Sequence, residues 1–350
     1  MFITNLDQRR KKILAYVIES YVSTASPVGS ELIAQKLRSS LSSATIRNVM
    51  VELEQVGFLH QPHTSAGRVP TQRGYRFYVD SVMEARQLLP EQVHQLQQLI
   101  ESEPVEEVDQ LLSHAIGVLS ELTQQAAFVV APTVKHSTVR QIELVPIGAR
   151  KILCVLVAND EIFASHVVEI QEPLGRDEAL SLARFFNTEL VGLPFSELLG
   201  SLERRLLAEN DSFYYLVKRS FQILQQALAT EPDERLFIEG TSYVMAQPEF
   251  RKDPEMARRL LQTLESHDAW LAYLREDLRS GAVRVHIGAE TEIPGFESCS
   301  YISVPFAVGG SAIGGLGVLG PVRMDYGRMR SLVEGVAACL RDELSQMEAI

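Results

Sequence analysis

Residues 42–80, SSATIRNVMVELEQVGFLHQPHTSAGRVPTQRGYRFYVD, decide how the first part of the chain folds. Ile46, Val49, Met50 and Leu53 recur at the three- and four-residue spacing of a helix with one apolar face. Ser42 or Ser43 can accept a first-turn backbone N–H, and Gly57 stands where a left-handed residue ends a helix. Phe58–Gln61 then reads as a strand. Pro62–Thr71, with Gly67 and Pro70, reads as a loop reversing into a return strand.

Upstream, Ile13, Leu14, Val17, Ile18 and Tyr21 make one stripe of a helix over about residues 6–23. Ser26-Pro-Val-Gly-Ser30 breaks it. Ser30 can open a short helix carrying Leu32, Ile33 and Leu37, and residues 38–43 form a turn. Helix, helix, turn, helix and hairpin make a winged helix-turn-helix, whose third helix offers its outer face to a DNA major groove. That outer face carries Ala44, Asn48, Val51 and Gln55, flanked by Thr45 and Arg47.

Only the first turns of such a helix reach base edges, so Ser43, Ala44, Thr45, Arg47 and Asn48 are the candidate reading residues. Arginine can fork onto guanine and asparagine onto adenine, while small methyls meet thymine methyls. Thr64, Ser65, Arg68 and Arg73, on or beside the wing, suit phosphates, which position a head without reading sequence. The same residue types also suit a solvated helix face, and some winged helices contact only proteins. Charge favours DNA. Residues 1–86 hold 11 Lys and Arg against 7 Asp and Glu, leaving 22 against 38 for the rest of a chain of net charge −12. A basic head on an acidic body fits a polyanion partner for the head alone.

At 350 residues the chain is too long for one core, and 46% hydrophobic content with 22% charged is that of a globular protein, not a disordered one. Three scattered cysteines, Cys154, Cys299 and Cys339, with no CxxC, exclude a disulfide framework and a zinc ribbon. The opening MFITNLDQRRKK lacks the apolar core of a secretory signal, so a cytoplasmic protein is expected. Ser298–Val322 carries no charge, but its two prolines and six glycines suit a buried strand pair better than a membrane span.

Beyond the head, Pro90 to about Ala126 reads as helical, with Pro104 as a break, and Phe128–Ala131 as a short buried strand. Val139–Ile147, Ile152–Ala158 and Ile162–Ile170 read as strands joined by hairpin chemistry at Gly148–Lys151 and Asn159–Glu161. Helical patterns follow at about 177–191, 195–208 and 211–229. Next come a strand at Leu236–Met245, helices at 254–265 and 267–279, strands at 283–288, 300–308 and 312–319, and a last helix over about 325–347. A strand, an excursion and a resumed α/β pattern suggest an insertion near 137–230. By pattern alone the class is multidomain α+β with open boundaries.

The 42–80 run, with QIELVPIGARKILCVLV (141–157), FIEGTSYVMAQPEF (237–250) and GGLGVLGPVRMDYGRM (314–329), resembles the HrcA family of bacterial heat-inducible transcription repressors over essentially the whole chain. The resemblance implies a winged helix over 1–88, a GAF-like α/β domain over 89–136 and 231–350, and an inserted α+β dimerisation domain over 137–230. It also implies a homodimer that binds an inverted-repeat operator in double-stranded DNA and represses chaperone and chaperonin operons. The chaperonin is expected to assist the active form, and heat stress to end repression. The alternative keeps the winged helix but lets the GAF-like domain sense a small-molecule ligand.

Other motifs point elsewhere less well. Gly315–Gly320 satisfies G-x-G-x-x-G, yet Pro321 follows and no helix opens there, so close packing of backbone layers is expected and not a dinucleotide. His60 and His63 lack a nearby third ligand and fit a solvated wing. Arg9-Arg10-Lys11-Lys12 fits a phosphate contact and a solvated face equally. No hydrolase elbow, zincin, P-loop or cysteine–histidine signature is present, so no enzyme, metal, cofactor or membrane partner is expected.

Overall fold

The computed structural model describes residues 6–37, 41–64, 66–83, 87–102, 108–131, 138–158, 161–208, 214–229, 235–308 and 312–347. Ser65, the break at Pro104, Arg38–Ser40, Asn159–Asp160 and the expected boundaries at 136/137 and 230/231 lie outside the described residues. The chain gathers into two compact units. One holds the described residues up to Ala131 with Leu236–Phe306 and Gly314–Leu344, the other the described residues from 138 to 235 with those of 307–313 and 345–347.

The first unit opens with α1 (Gln8–Thr24), α2 (Ser30–Leu37), α3 (Ser43–Gln55), β1 (Leu59–His60), β2 (Val69–Pro70) and α4 (Gln72–Ser81). Asp7 caps α1 by accepting from Arg10 N at 2.8 Å, and the Arg10 side chain pairs with Asp7 and, at 2.7 Å, with Glu52. Those carboxylates offset the cationic start of the helix. Ile13, Leu14, Val17 and Ile18 bury against Ile33 and against Ile46, Val49, Met50 and Leu53 of α3. The β1–β2 hairpin pairs Leu59 with Pro70 and His60 with Val69.

The return strand is the short Val69–Pro70, inside the stretch expected as loop, and a helix over Gln72–Ser81 that the sequence reading did not assign follows it. Thr71 caps it, accepting from Gly74 N at 3.0 Å, and its hydroxyl also donates to Gly57 O at 2.7 Å. Glycine at 74 is a steric requirement, because a Cβ there would lie 2.2 Å from Phe58 O.

The linker and first body elements are α5 (Pro90–Ile100), α6 (Val108–Thr123) and β3 (Ala126–Ala131). The second unit is β4 (Val139–Gly148), β5 (Lys151–Ala158), β6 (Glu161–Glu169), α7 (Arg176–Glu189), α8 (Phe195–Ala208) and α9 (Tyr214–Ala229). Its three strands form an antiparallel sheet in the order β4-β5-β6. Alternation places Ile142, Leu144, Ile152, Cys154, Leu156 and Val168 on one face, buried against Leu182, Phe186, Leu198, Leu202, Ile223 and Leu224 of the helices. Burial pushes the Cys154 thiol up to about 12, which suits a core residue.

The first unit then resumes with β7 (Arg235–Glu239), α10 (Thr241–Met245), α11 (Pro248–Lys252), α12 (Pro254–Glu265), α13 (His267–Arg279), β8 (Arg284–Ile287), β9 (Cys299–Val308), β10 (Ala312–Pro321) and α14 (Tyr326–Met347). The strand expected over Leu236–Met245 stops at Glu239. Gly240 takes a left-handed φ of +72° and the chain turns into a short helix. Its five strands run in the order β7-β3-β10-β9-β8, so β3 pairs with β10 from the far side of the excursion. Trp270 packs edge-on to Phe128 at 4.8 Å and to Phe296 at 5.5 Å in the core between sheet and helices.

The uncharged run becomes β9 and β10. The glycine fingerprint lies inside β10, where a Cβ on Gly317 would meet Ile302 O at 2.2 Å and one on Gly315 would strike the Leu278 side chain. Close layer packing accounts for those glycines. Among the described residues, no helix is long and apolar enough to cross a membrane.

Candidate nucleic-acid interface

The interface is built around α3. Ser42 Oγ accepts from Thr45 N at 3.1 Å and lies 2.9 Å from the Thr45 hydroxyl, which anchors the first turn. Ser43 Oγ sits 2.9 Å from Ser30 Oγ at the start of α2, so this contact ties the two helices of the helix-turn-helix together. Ser43 and Thr45 are consequently half-buried and engaged inside the head. Ala44, Arg47 and Asn48 are exposed, on the side opposite Ile46, Val49, Met50 and Leu53. Helical periodicity alone creates this division: a stripe that fixes the core leaves its complement in solvent.

The wing is knitted from within. Gln61 Nε2 donates to Thr64 O and to Ala66 O, both at 2.9 Å, and Thr64 stands exposed at the turn. Val28 and Arg68 exchange backbone hydrogen bonds of 2.9 and 2.8 Å, adding a third short strand segment to the hairpin. Gly67 permits that approach, since a Cβ there would lie 2.4 Å from the Val28 carbonyl.

The two wing arginines differ. Arg68 pairs with Glu54 of α3 at 2.9 Å and is only 13% exposed, so its charge is turned into the head. Arg73 is exposed, with its guanidinium 5.4 Å from the centre of the Phe58 ring, and Phe58 in turn stacks on Phe77 at 4.8 Å. His60 and His63 are both exposed. Of the cationic run at the chain start, Arg10 is paired as described, Lys11 reaches Ser81 O at 3.5 Å, and Arg9 and Lys12 are exposed.

The structure thus brings Ala44, Arg47 and Asn48 together on one open surface, with Thr64 and Arg73 on the neighbouring hairpin and helix. It spends Ser43, Thr45 and Arg68 on contacts within the head. Sequence reasoning missed α4, whose signal was Thr71 three residues before Gly74 followed by apolar positions at 75, 78 and 79. Glycine and a run of aromatics obscured it.

Away from the head, Asp277 gathers His286, Tyr301 and Ser303 into a largely buried polar cluster. The carboxylate accepts from them at 2.9, 2.9 and 3.2 Å. Both of its oxygens are engaged by these protein donors. Among the described residues, no group of three His, Cys, Asp or Glu side chains is placed to hold a metal ion.

Comparison with known proteins agrees with this geometry. The family model described as "Winged helix-turn-helix transcription repressor, HrcA DNA-binding" matches residues 5–82, and "HrcA protein C terminal domain" matches residues 109–329. The chain is similar to the heat-inducible transcription repressor HrcA of Moorella thermoacetica, 34% identical over 343 residues and covering 98% of this chain and 99% of the relative. It is likewise similar to that of Brevibacillus brevis, at 32% over 345 residues and 97% and 100% coverage. A crystal structure of a hypothetical protein at 2.2 Å resolution shares the fold, with a TM-score of 0.62 and 22% identity over 98% of this chain and 100% of that one. An outward-facing α3 in a basic head, two family models in register with head and body, and relatives matched nearly end to end place this chain in the HrcA family of heat-inducible transcription repressors, which are not enzymes.

Proposed function

We propose that this chain represses heat-shock operons, those of chaperones and the chaperonin, by seating two winged helices on the half-sites of an inverted repeat. The observation that carries the reading is α3: capped, packed on one side, and open on the other with Arg47, Asn48 and Ala44 in a head of net positive charge. In this reading those three side chains meet base edges, while Thr64, Ser65 and Arg73 meet phosphates. Ser43, Thr45 and Arg68 act by holding the helix and wing in place. Phosphate contacts make binding weaken steeply with salt, because each displaces condensed counterions.

The body around β7-β3-β10-β9-β8 is read as the GAF-like domain and the unit around β4-β5-β6 as the inserted dimerisation domain, in a protein of the cytoplasm. One feature supports the dimer. The helices cover a single face of the three-stranded sheet, and on the other Val145, Leu153 and Val167 stand opposite one another across all three strands. Val145 is 43% and Val167 54% exposed. Apolar side chains aligned on an open sheet suit burial against a second copy related by a two-fold axis. Release on heating and assistance by the chaperonin follow if the competent dimer is marginally stable and the chaperonin raises its population.

Footprinting of the full-length protein on the chaperone promoters of its own organism tests the reading. Two protected half-sites about one or more helical turns apart are expected. Absence of protection at every inverted repeat, with and without chaperonin, would remove it.

A further inference from the structure

α4 has two working faces. Arg73 and Phe77, four residues apart, look toward Phe58 and weld the helix to the wing. Gln72, Tyr75 and Arg76, spaced i, i+3, i+4, look the other way and meet the body. Arg76 Nε donates to Glu290 Oε1 at 2.9 Å, its Nη2 donates to both Glu290 Oε2 and the Val285 carbonyl, and its Nη1 pairs with Asp80 on the same helix. Glu290 is itself held, accepting from Ile287 N at 2.9 Å. The Gln72 carboxamide donates to Glu297 O at 2.9 Å and accepts from Ala289 N at 3.1 Å. Tyr75 packs on Tyr326 at 5.8 Å, fully buried.

The body is shaped for this contact. Gly288, at φ +58°, leaves the space the Gln72 carboxamide fills: a Cβ there would lie 2.2 Å from it. A second anchor sits at the other end of the head, where Arg323 donates to the Val22 carbonyl at 2.6 Å. Glu249 and Gln247 hold that guanidinium from the body side. Val22 lies in the last turn of α1, which carries no basic residue of its own, so the body supplies the cation that this helix end favours.

We propose that Gln72 and Arg76 are positioning residues that fix the angle of the head on the body and thereby the half-site spacing the protein accepts. The docked head keeps Ala44, Arg47 and Asn48 exposed, so the contact orients the reading surface instead of hiding it. Two heads bound at once must match the pitch of the duplex, and a fixed angle converts that match into selectivity for spacing. The contact is polar and ionic at Arg76 and Gln72, which gives it direction as well as attraction. This inference rests on the operator-binding reading above.

The test uses the full-length protein in three forms: wild type, Glu290→Arg, and Glu290→Arg with Arg76→Glu. The pair Gln72→Ala and Glu290→Gln serves as a milder variant should Glu290→Arg fail to fold. Hydrogen exchange without DNA reports docking directly at the Ala289 amide, and gel shifts report affinity for inverted repeats whose spacer is lengthened or shortened by one to five base pairs. Wild type should show a sharp optimum, since about five base pairs turn a half-site to the opposite face of the duplex.

Glu290→Arg should exchange faster at Ala289, bind the optimal spacing about 3–10-fold more weakly, lose less at other spacings, and keep wild-type affinity for a single half-site. The double exchange should restore the optimum. A spacing profile unchanged in an undocked variant, unchanged exchange in Glu290→Arg, or tighter binding at the optimal spacing would each overturn the inference. Wild-type protein that binds no inverted repeat would instead remove the operator reading itself.

Discussion

Glu54 on α3 and Arg68 at the foot of the wing form an ion pair with 2.9 Å between carboxylate and guanidinium, which ties the proposed reading helix to the hairpin beside it. Arg68 is 13% exposed and Glu54 31%, which shields the pair from much of the solvent screening that makes surface pairs nearly worthless. Replacing Glu54 by Gln should cost about 1–2 kcal/mol of stability, below the cost for a fully buried pair, because Arg68 keeps some access to water. Urea unfolding measures the loss, and a change under a few tenths of a kcal/mol would show that the pair is not coupled to the fold.

Arg47→Ala should weaken specific operator binding by roughly 1–3 kcal/mol and leave binding to a scrambled duplex nearly unchanged. Gel shifts on the two duplexes separate the cases. Equal losses on both would make Arg47 a phosphate contact.

Ser42→Ala removes the side-chain cap of α3 and should destabilise the protein by about 1 kcal/mol, with Ser42→Asp restoring most of it. The measurement is the thermal midpoint of the three proteins at one concentration. A midpoint in Ser42→Ala equal to wild type would mean that the Ser43–Ser30 contact holds the first turn unaided.

Val145→Glu and Val167→Glu each place a charge on the open sheet face and should turn the proposed dimer into a monomer whose secondary structure is unchanged. Sedimentation and circular dichroism read the two properties separately. Operator affinity should fall with the dimer, since two heads no longer act together. A variant that stays dimeric moves the interface elsewhere.

Acid should act through Asp277. Burial by itself would raise its carboxyl, but the hydrogen bond and charge of His286, with the hydroxyls of Tyr301 and Ser303, more than offset this and hold it below the usual range. A depressed acid contributes stability above its unfolded value, about 3.9, and that contribution is lost as pH falls through this value toward the folded one. Wild type should therefore lose stability between about pH 5 and 3, and Asp277→Asn should lose less over the same interval, in urea titrations at each pH. Parallel curves would remove Asp277 from the acid response.

Much of the molecule was legible from local rules. The apolar stripes at Ile13–Tyr21 and Ile46–Leu53 specify helices and their inner faces, and the complement of the second stripe names Ala44, Arg47 and Asn48 as outward residues. Apolar-rich runs bounded by turn residues mark β4 and β5, and the pattern over 254–265 and 267–279 matches α12 and α13 residue for residue. These features depend on a few neighbours along the chain, where helix and strand periods act. The helix over Gln72–Ser81 escaped because a glycine and a run of aromatics obscured its local cap at Thr71, and the end of β7 at Gly240 escaped because it is set by a partner far along the chain, Ser120.

What the amino-acid order settled unaided is the identity of the elements and which side of each faces inward, since both follow from side-chain spacing. Tertiary contact alone decided which polar groups are available. Arg68 and Ser43 look as free as Arg47 in a linear reading, yet Glu54 and Ser30 engage them across gaps of 14 and 13 residues. Arg76 counts as one more cation of a basic head until Glu290, more than two hundred residues away, claims it for the body. Charge is a property of sequence, but its partner is a property of distance in space.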